Sequence, residues 1–244
     1  MFKLLKTLVR LIAYAYLDGK LQVLGKENIP SSGPVIVCAN HFGTPDPPLI
    51  PAFIRHIECH SMAKIELFDN PLLRLILVLY KAFPVVRHRP DRKALNKALS
   101  LLQQGKGVVV YPEGTRSSDG RLKNPEPGVG YLVLKSAAPV LPVGISGTNE
   151  CMPKGRYIPK RVPVRISFGV PFIIKNRWPD GHRVSYEQAA ELIMAKIAEQ
   201  LPEENRGMFV NYKEILASFA PIVVSYDRAY QRSELNGERA DVPI

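Results

Sequence analysis

The chain is short of cysteine, of acidic residues and of long uninterrupted apolar stretches, and each shortage removes a class of protein. Three cysteines in 244 residues, Cys38, Cys59 and Cys151, make no disulfide framework, and one stays unpaired in any case. They point to a reducing compartment. The first 20 residues, MFKLLKTLVRLIAYAYLDGK, are apolar but too short and too charged for a spanning helix, which needs about 20 predominantly apolar residues. No small-residue cleavage site follows them, so a signal peptide is not expected. The 10 Tyr and 9 Phe are spread thinly, with no cluster of aromatics between basic residues to stack on bases. There is no internal repeat and no low-complexity tract.

What remains is a basic globular chain. Hydrophobic residues make up 46% and charged residues 23%, enough for a sizeable core in one large domain or two small ones. Against 22 acids stand 33 Lys and Arg, a formal charge of +11. Such a surplus implies an anionic partner: nucleic acid, an anionic membrane or phosphorylated substrates. At the N-terminus, Lys3, Lys6 and Arg10 recur at helical spacing opposite a leucine-rich face. The spacing predicts a helix in the membrane interface, with its basic residues near the headgroups. The alternative is an ordinary core-packing helix.

Two loops carry the chemistry-bearing residues, and each leaves a buried strand at its carboxyl end. The apolar run Val35-Ile36-Val37-Cys38-Ala39 opens into Asn40-His41-Phe42-Gly43-Thr44-Pro45-Asp46. A strand's carboxyl end is where α/β proteins place chemistry. Imidazole takes a proton near neutral pH, and a carboxylate on its other nitrogen fixes the tautomer and steadies the cation. The plain alternative makes Asp46 an N-cap before Pro47 and His41 a satisfied loop residue. The second run, Gly107-Val108-Val109-Val110-Tyr111, opens into Pro112-Glu113-Gly114-Thr115-Arg116-Ser117. There Gly114 permits unusual dihedrals, and Arg116 offers a planar fork for phosphate.

Between and after these loops, Ile57–Met62 is expected as a strand. Lys64–Tyr80 reads as an apolar helix interrupted by Pro71, either buried or flanking an acyl-chain groove. Phe83–Arg87 is a strand ending in arginine, followed by the basic knot His88, Arg89, Arg92 and Lys93. Asp91–Gln104 is an amphipathic helix with Gly105 beyond its end. Gly128–Ala137 is a helix, Val140–Ile145 a strand containing Pro142, and Val164–Phe168 a strand after the basic segment Lys154–Arg165. Ser185-Tyr186-Glu187-Gln188 is a capping box. A short apolar patch at 215–224 could dock as a helix, and the residues from Asp227 read as polar and loose. His56, Cys59 and His60 invite a zinc reading, but no second cysteine pair completes a ligand set, so no metal is expected. Cys38 is a rival nucleophile, set inside an apolar strand where an inert thiol is the ordinary outcome.

Taken together, these motifs resemble the bacterial 1-acyl-sn-glycerol-3-phosphate (lysophosphatidic acid) acyltransferase family over residues 20–170. Asn40-His41 with Asp46 matches its NHxxxxD block. Lys64, Glu66, Leu67, Phe68 and Pro71, then Phe83-Pro84-Val85-Val86-Arg87, resemble the second block. Tyr111–Ser117 matches FPEGTRS with Tyr for Phe, and Leu141–Ile145 resembles the fourth block, which contains Pro142. The chain departs from the pattern at Pro125-Glu126-Pro127-Gly128, where many members carry Phe-Lys-x-Gly, and at Lys81, often a glycine.

The resemblance implies an α/β fold: a mostly parallel, mixed sheet flanked by helices, glycerolipid acyltransferase-like, with an amphipathic anchor over 1–20. The acyltransferase domain would span 21–205 and a partly loose extension 206–244. It implies acyl transfer from acyl-CoA or an acyl-carrier protein to the sn-2 hydroxyl of lysophosphatidic acid, at the cytoplasmic face of a membrane. No cofactor and no nucleic acid enter. His41 would be general base and Asp46 its partner. Arg87, Glu113, Gly114, Thr115 and Arg116 would bind the acceptor and its phosphate, with Asn40, Lys64 and Pro142 in support. An ion pair of Glu113 with Arg116 or Arg87 is the structural alternative for that acid. The rivals are a different lysophospholipid acceptor and a non-catalytic lipid-binding protein.

Overall fold

The computed structural model describes residues 2–87, 91–153 and 158–226. His88, Arg89, Lys154, Arg156 and the tail from Asp227 lie outside the described residues. The helices are α1 (Phe2–Leu17), α2 (Asp46–Phe53), α3 (Pro71–Leu79), α4 (Arg92–Gln103), α5 (Gly128–Ser136), α6 (Thr148–Cys151), α7 (Tyr186–Ala198) and α8 (Tyr212–Phe219). The strands are β1 (Leu21–Leu24), β2 (Val35–Ala39), β3 (Cys59–Lys64), β4 (Phe83–Val85), β5 (Gly107–Val110), β6 (Val140–Ser146), β7 (Val164–Phe168), β8 (Phe172–Ile174) and β9 (Val223–Ser225).

The nine strands among the described residues join one sheet in the order β1-β7-β6-β2-β5-β3-β4, with β8 leaving β6 and β9 leaving β8. The five strands β6, β2, β5, β3 and β4 run parallel. β7 is antiparallel to β6, and β1 is parallel to β7. The expected mostly parallel, mixed sheet is therefore present.

β2 and β5 are apolar throughout because both sheet faces are covered, and every residue in them is buried. Their alternation splits the core in two. Ile36, Cys38, Val108 and Val110 pack under α4, α5 and α7, while Val35, Val37, Ala39 and Val109 pack under α1 and α2. Pro142 is tolerated inside β6 because the β7 ladder ends at Val143–Phe168 and the bridge to β8 lies at Val140–Phe172. The proline falls between them, where no ladder bond needs its missing N–H.

Three expectations change. Lys64–Tyr80 is not one interrupted helix. Lys64 ends β3, residues 65–68 form a 3-10 turn, and α3 starts afresh at Pro71 under the Asn70 side chain, which accepts from the amides of Leu72 (3.0 Å) and Leu73 (3.1 Å). Nor is α3 buried: Leu72, Leu75, Ile76 and Val78 are exposed. The orientation of α1 is also reversed. Lys6 is buried, and its ammonium donates to the carbonyls of Ile54 and Ile57, while Arg10 reaches the Ala52 carbonyl at 3.4 Å. Leu4, Leu8, Leu11 and Ile12 face outward instead. The carbonyls at and beyond the end of α2 need donors, and the basic face of α1 supplies them.

Lys81 sits in the left-handed region at φ 58°, which accounts for the glycine often found there. Its ion pair with Glu58 and its position 5.2 Å over the Phe2 ring hold it in place. At the other end, α8 packs on α7, and Phe209, Phe219 and Ile222 are buried in the same core.

One close approach makes a direct test of packing. A Cβ on Gly130 of α5 would lie 1.9 Å from the Tyr186 carbonyl oxygen of α7, whereas one on Gly128 would meet nothing within 4 Å. Gly130→Ala should destabilise the fold by about 1–3 kcal/mol. Gly128→Ala should be neutral or stabilising by up to about 1 kcal/mol. Urea unfolding midpoints of the two variants check this; equal midpoints would mean that α5 and α7 do not touch there.

Candidate active site

The site begins where β2 ends. Asn40 is wholly buried and acts as a clamp: its side-chain amide donates to the Ile145 carbonyl (2.7 Å), and its oxygen accepts from the Ile145 amide (2.8 Å). It thus ties the first loop to β6 with the bonding pattern of a neighbouring backbone. The next residue, His41, is held by both of its main-chain groups. Its N–H donates to Oε1 of Glu113 (3.1 Å), and its carbonyl accepts from the Ser117 amide (2.8 Å).

The imidazole Nδ1 lies 2.8 Å from Oδ2 of Asp46. The same oxygen accepts from the amides of Phe42 and Gly43, each at 2.8 Å. Asp46 is therefore not the N-cap. It is the first residue of α2, Pro45 holds the cap position, and the carboxylate folds back into the loop. With Nδ1 turned to a carboxylate, the ring proton belongs on Nδ1, and Nε2 keeps its lone pair. Tyr111 packs its ring against the imidazole, with centroids 4.5 Å apart at 32°. Gly43 is required because a Cβ there would lie 2.5 Å from the Thr148 carbonyl oxygen at the start of α6.

The second loop turns at Tyr111–Gly114, closed by the Gly114 amide on the Tyr111 carbonyl (3.0 Å), with Gly114 at φ 65°. Glu113 points inward. It pairs with neither Arg116 nor Arg87; its two oxygens accept from the amides of His41 and Lys123 (3.2 Å). Burial pushes its carboxyl up to about 7, although both amides pull the other way. Glu126, the acid in the departure from the family pattern, lies against Gly114, and its amide donates to the Pro112 carbonyl at 2.8 Å.

Arg116 is exposed and donates to the Thr44 hydroxyl at 2.7 Å, joining the two loops at the surface. Arg87, at the end of β4, feels the Arg116 charge. That cation and, above all, burial lower its pKa, while Glu66 opposes. The two guanidiniums thus form one electropositive lip. Lys64 pairs with Glu66 (3.3 Å), the acid that Arg87 also feels, and Thr115 is half-buried beside Arg116. Residues that the sequence did not single out are Thr44, Ser117 and Lys123, which hold Arg116, His41 and Glu113. Only the place of Thr44 and Ser117 inside the two motifs could have signalled them, and Lys123, beyond the second motif, had no such signal.

Cys38 lies fully buried in mid-sheet, and burial raises its thiol well above the ordinary range, so it is no nucleophile. Cys59 is likewise buried and pushed up to about 12, and His60 bonds Glu58 through Nε2 at 3.0 Å. A cavity of about 430 Å³ lies elsewhere, lined by residues such as Asn124, Glu187, Glu191, Phe209 and Ile215; none of the site residues above lines it.

Comparison with known proteins decides the family. The model of the family described as Acyltransferase matches residues 20–146, more than half of the chain. The chain belongs to the acyltransferase family. This acyltransferase is 30% identical over 156 residues to the 1-acyl-sn-glycerol-3-phosphate acyltransferase of Bacillus subtilis, covering 64% of the chain and 75% of the relative. It is 31% identical over 135 residues to the enzyme of that name from Borreliella burgdorferi, covering 54% of the chain and 53% of the relative. The crystal structure of the 1-acyl-sn-glycerophosphate acyltransferase PlsC from Thermotoga maritima superposes with a TM-score of 0.66 at 29% identity. It covers 82% of this chain and 78% of that one.

The Glu113 carboxyl makes stability depend on pH. Its folded value, about 7, lies above the ordinary 4.5, so the folded acyltransferase holds the extra proton between those values. The contribution is full below about 4.5 and is lost as pH rises to about 7, on the order of 3 kcal/mol. Urea unfolding of wild type and Glu113→Gln at pH 5 and pH 8 measures it. The wild type should lose more stability than the glutamine variant, and equal losses would show that Glu113 does not titrate in this range.

Proposed function

We propose that this acyltransferase moves a fatty acyl group from a thioester to the sn-2 hydroxyl of 1-acyl-glycerol-3-phosphate, giving phosphatidic acid. The observation that carries the reading is the buried His41–Asp46 pair at 2.8 Å, opening beside the Arg87 and Arg116 lip in a member of this family. His41 Nε2 takes the acceptor hydroxyl's proton as that oxygen attacks the thioester carbonyl. The new ester bond forms, the carbon–sulfur bond breaks, and the proton passes to the departing thiolate. Asp46 steadies the imidazolium formed in between. The donor is acyl-CoA or acyl-carrier protein, and the chemistry asks for no further cofactor. Arg116 and Arg87 take the acceptor phosphate. Glu113 serves by fixing both loops, with Gly114 and Thr115 shaping the approach.

Both lipids partition into a bilayer, so the enzyme works at one, peripherally and on its cytoplasmic face. No helix among the described residues is long and apolar enough to cross a membrane. The outward leucines of α1 and the exposed face of α3 support docking into one leaflet; the helices meet where Phe2 lies edge-on to Tyr80, 6.0 Å between centroids.

His41→Ala should lower turnover by about 10²–10⁴-fold without unfolding the protein. Arg116→Ala should raise KM for lysophosphatidic acid, by about 1.5–3 kcal/mol in binding, and leave KM for the thioester nearly unchanged. Arg116→Lys should recover only part of this. Steady-state assays with acyl-CoA, read by mass spectrometry, test both residues. Wild-type turnover in His41→Ala would end the mechanism, and a KM change for the donor alone would move the arginines to the donor site.

The docking surface predicts that Leu8→Glu together with Leu75→Glu releases the protein from anionic vesicles in a sedimentation assay. Activity on a short-chain, soluble acceptor should persist. Full vesicle binding by this double variant would place the contact elsewhere.

A further inference from the structure

Three buried oxygens around the histidine loop have no hydrogen-bond partner among the described residues: Oδ1 of Asp46, the Tyr111 hydroxyl and Oγ1 of Thr148. Native folds keep few such atoms, since each costs about 1–3 kcal/mol when left unpaired. These three belong to one neighbourhood. Asp46 holds the imidazole through its other oxygen, and Tyr111 covers that imidazole at 4.5 Å. Asp46 also holds the Gly43 amide, and Gly43 sits so close to Thr148 that a Cβ would lie 2.8 Å from the threonine Cβ. Tyr111 thus lies near enough to feel the Asp46 charge, and Thr148 sits against the glycine whose amide that carboxylate holds. The chemistry is complementary. A phenol donates, a hydroxyl donates or accepts, and a carboxylate oxygen only accepts.

We propose that Asp46, Tyr111 and Thr148 form a buried polar site for one water molecule, through which the Tyr111 hydroxyl bonds the free oxygen of Asp46 and sets the basicity of His41. Buried waters typically make about three hydrogen bonds to groups that are otherwise unsatisfied. Donation to Oδ1 draws charge from the carboxylate, which then attracts the imidazolium less. Tyr111 is a positioning residue: it acts through Asp46 and does not touch the acceptor. Burial, with the Asp46 charge adding to it, raises the Tyr111 pKa, so the phenol keeps its proton and remains a donor. The consequence for rate rests on His41 being the base, but the water site and the histidine's titration do not.

The other charged or titratable groups facing His41 are Glu113 on its amide, Arg116 through Thr44, Arg87 beyond Arg116, and Cys151 of α6, which feels the Asp46 charge. Glu113 itself titrates at about 7, so the histidine must be read directly. The experiment is an NMR titration of the His41 imidazole, assigned by its loss in His41→Ala. It compares wild type with Tyr111→Phe, which keeps the ring against the imidazole and removes only the hydroxyl. The His41 midpoint should rise by about 0.5–1 unit in Tyr111→Phe and by less in Thr148→Val. The acid limb of kcat/KM should move up with it, while KM for lysophosphatidic acid stays put. The same shift should appear in a Glu113→Gln background. An unmoved or lowered His41 midpoint in Tyr111→Phe overturns the proposal, whatever happens to activity. If Tyr111→Phe does not fold, Thr148→Val carries the same test. A shifted midpoint with unchanged turnover would keep the water site and remove His41 from the role of base.

Discussion

One oxygen organises this site. Oδ2 of Asp46 gathers the His41 imidazole and the amides of Phe42 and Gly43, three donors within 2.8 Å. A carboxylate can do this in a buried place because three N–H groups converge on that one oxygen. The loop then has one conformation, and the imidazole one tautomer. That geometry decides which ring nitrogen of His41 is turned away from the carboxylate.

The loop does not hold itself. β2 lies between β5 and β6, and the loops leaving these three strands meet at one edge of the sheet. Asn40 ties the first to β6, while Glu113 and Ser117 tie it to the segment after β5. These bonds are buried and short, and they join residues 72 to 105 positions apart in sequence. Glu113 shows the cost of the arrangement: its carboxyl is held up to about 7 by burial even though it accepts two amides. The charges that face solvent are different in kind. Arg87 is half-buried, and burial together with the nearby Arg116 charge lowers its affinity for a proton.

The two outward helices express another constraint. Lys6 and Arg10 cap carbonyls at the end of α2, so the apolar side of α1 is the one left facing outward. An amphipathic pattern says that a helix has two faces, but not which of them meets the protein. Unpaired carbonyls beneath α1 make its basic face the inner one, because a buried carbonyl without a donor costs more than an exposed leucine.

Local pattern alone determined much of the rest. The buried strands β2 and β5, the amphipathic α4, the capping box at Ser185 and the loops carrying His41, Asp46, Glu113 and Arg116 are written in short stretches, because periodicity and turn chemistry act over a few residues. The family resemblance was legible for the same reason. What only the tertiary structure decided are relations between stretches far apart. These are the turning of Glu113 onto the His41 and Lys123 amides, the seat of Tyr111 on the imidazole, the exposure of α3 and the inward face of α1. Each depends on which unsatisfied group the fold brings opposite a side chain, and a sequence names the side chain without naming its partner.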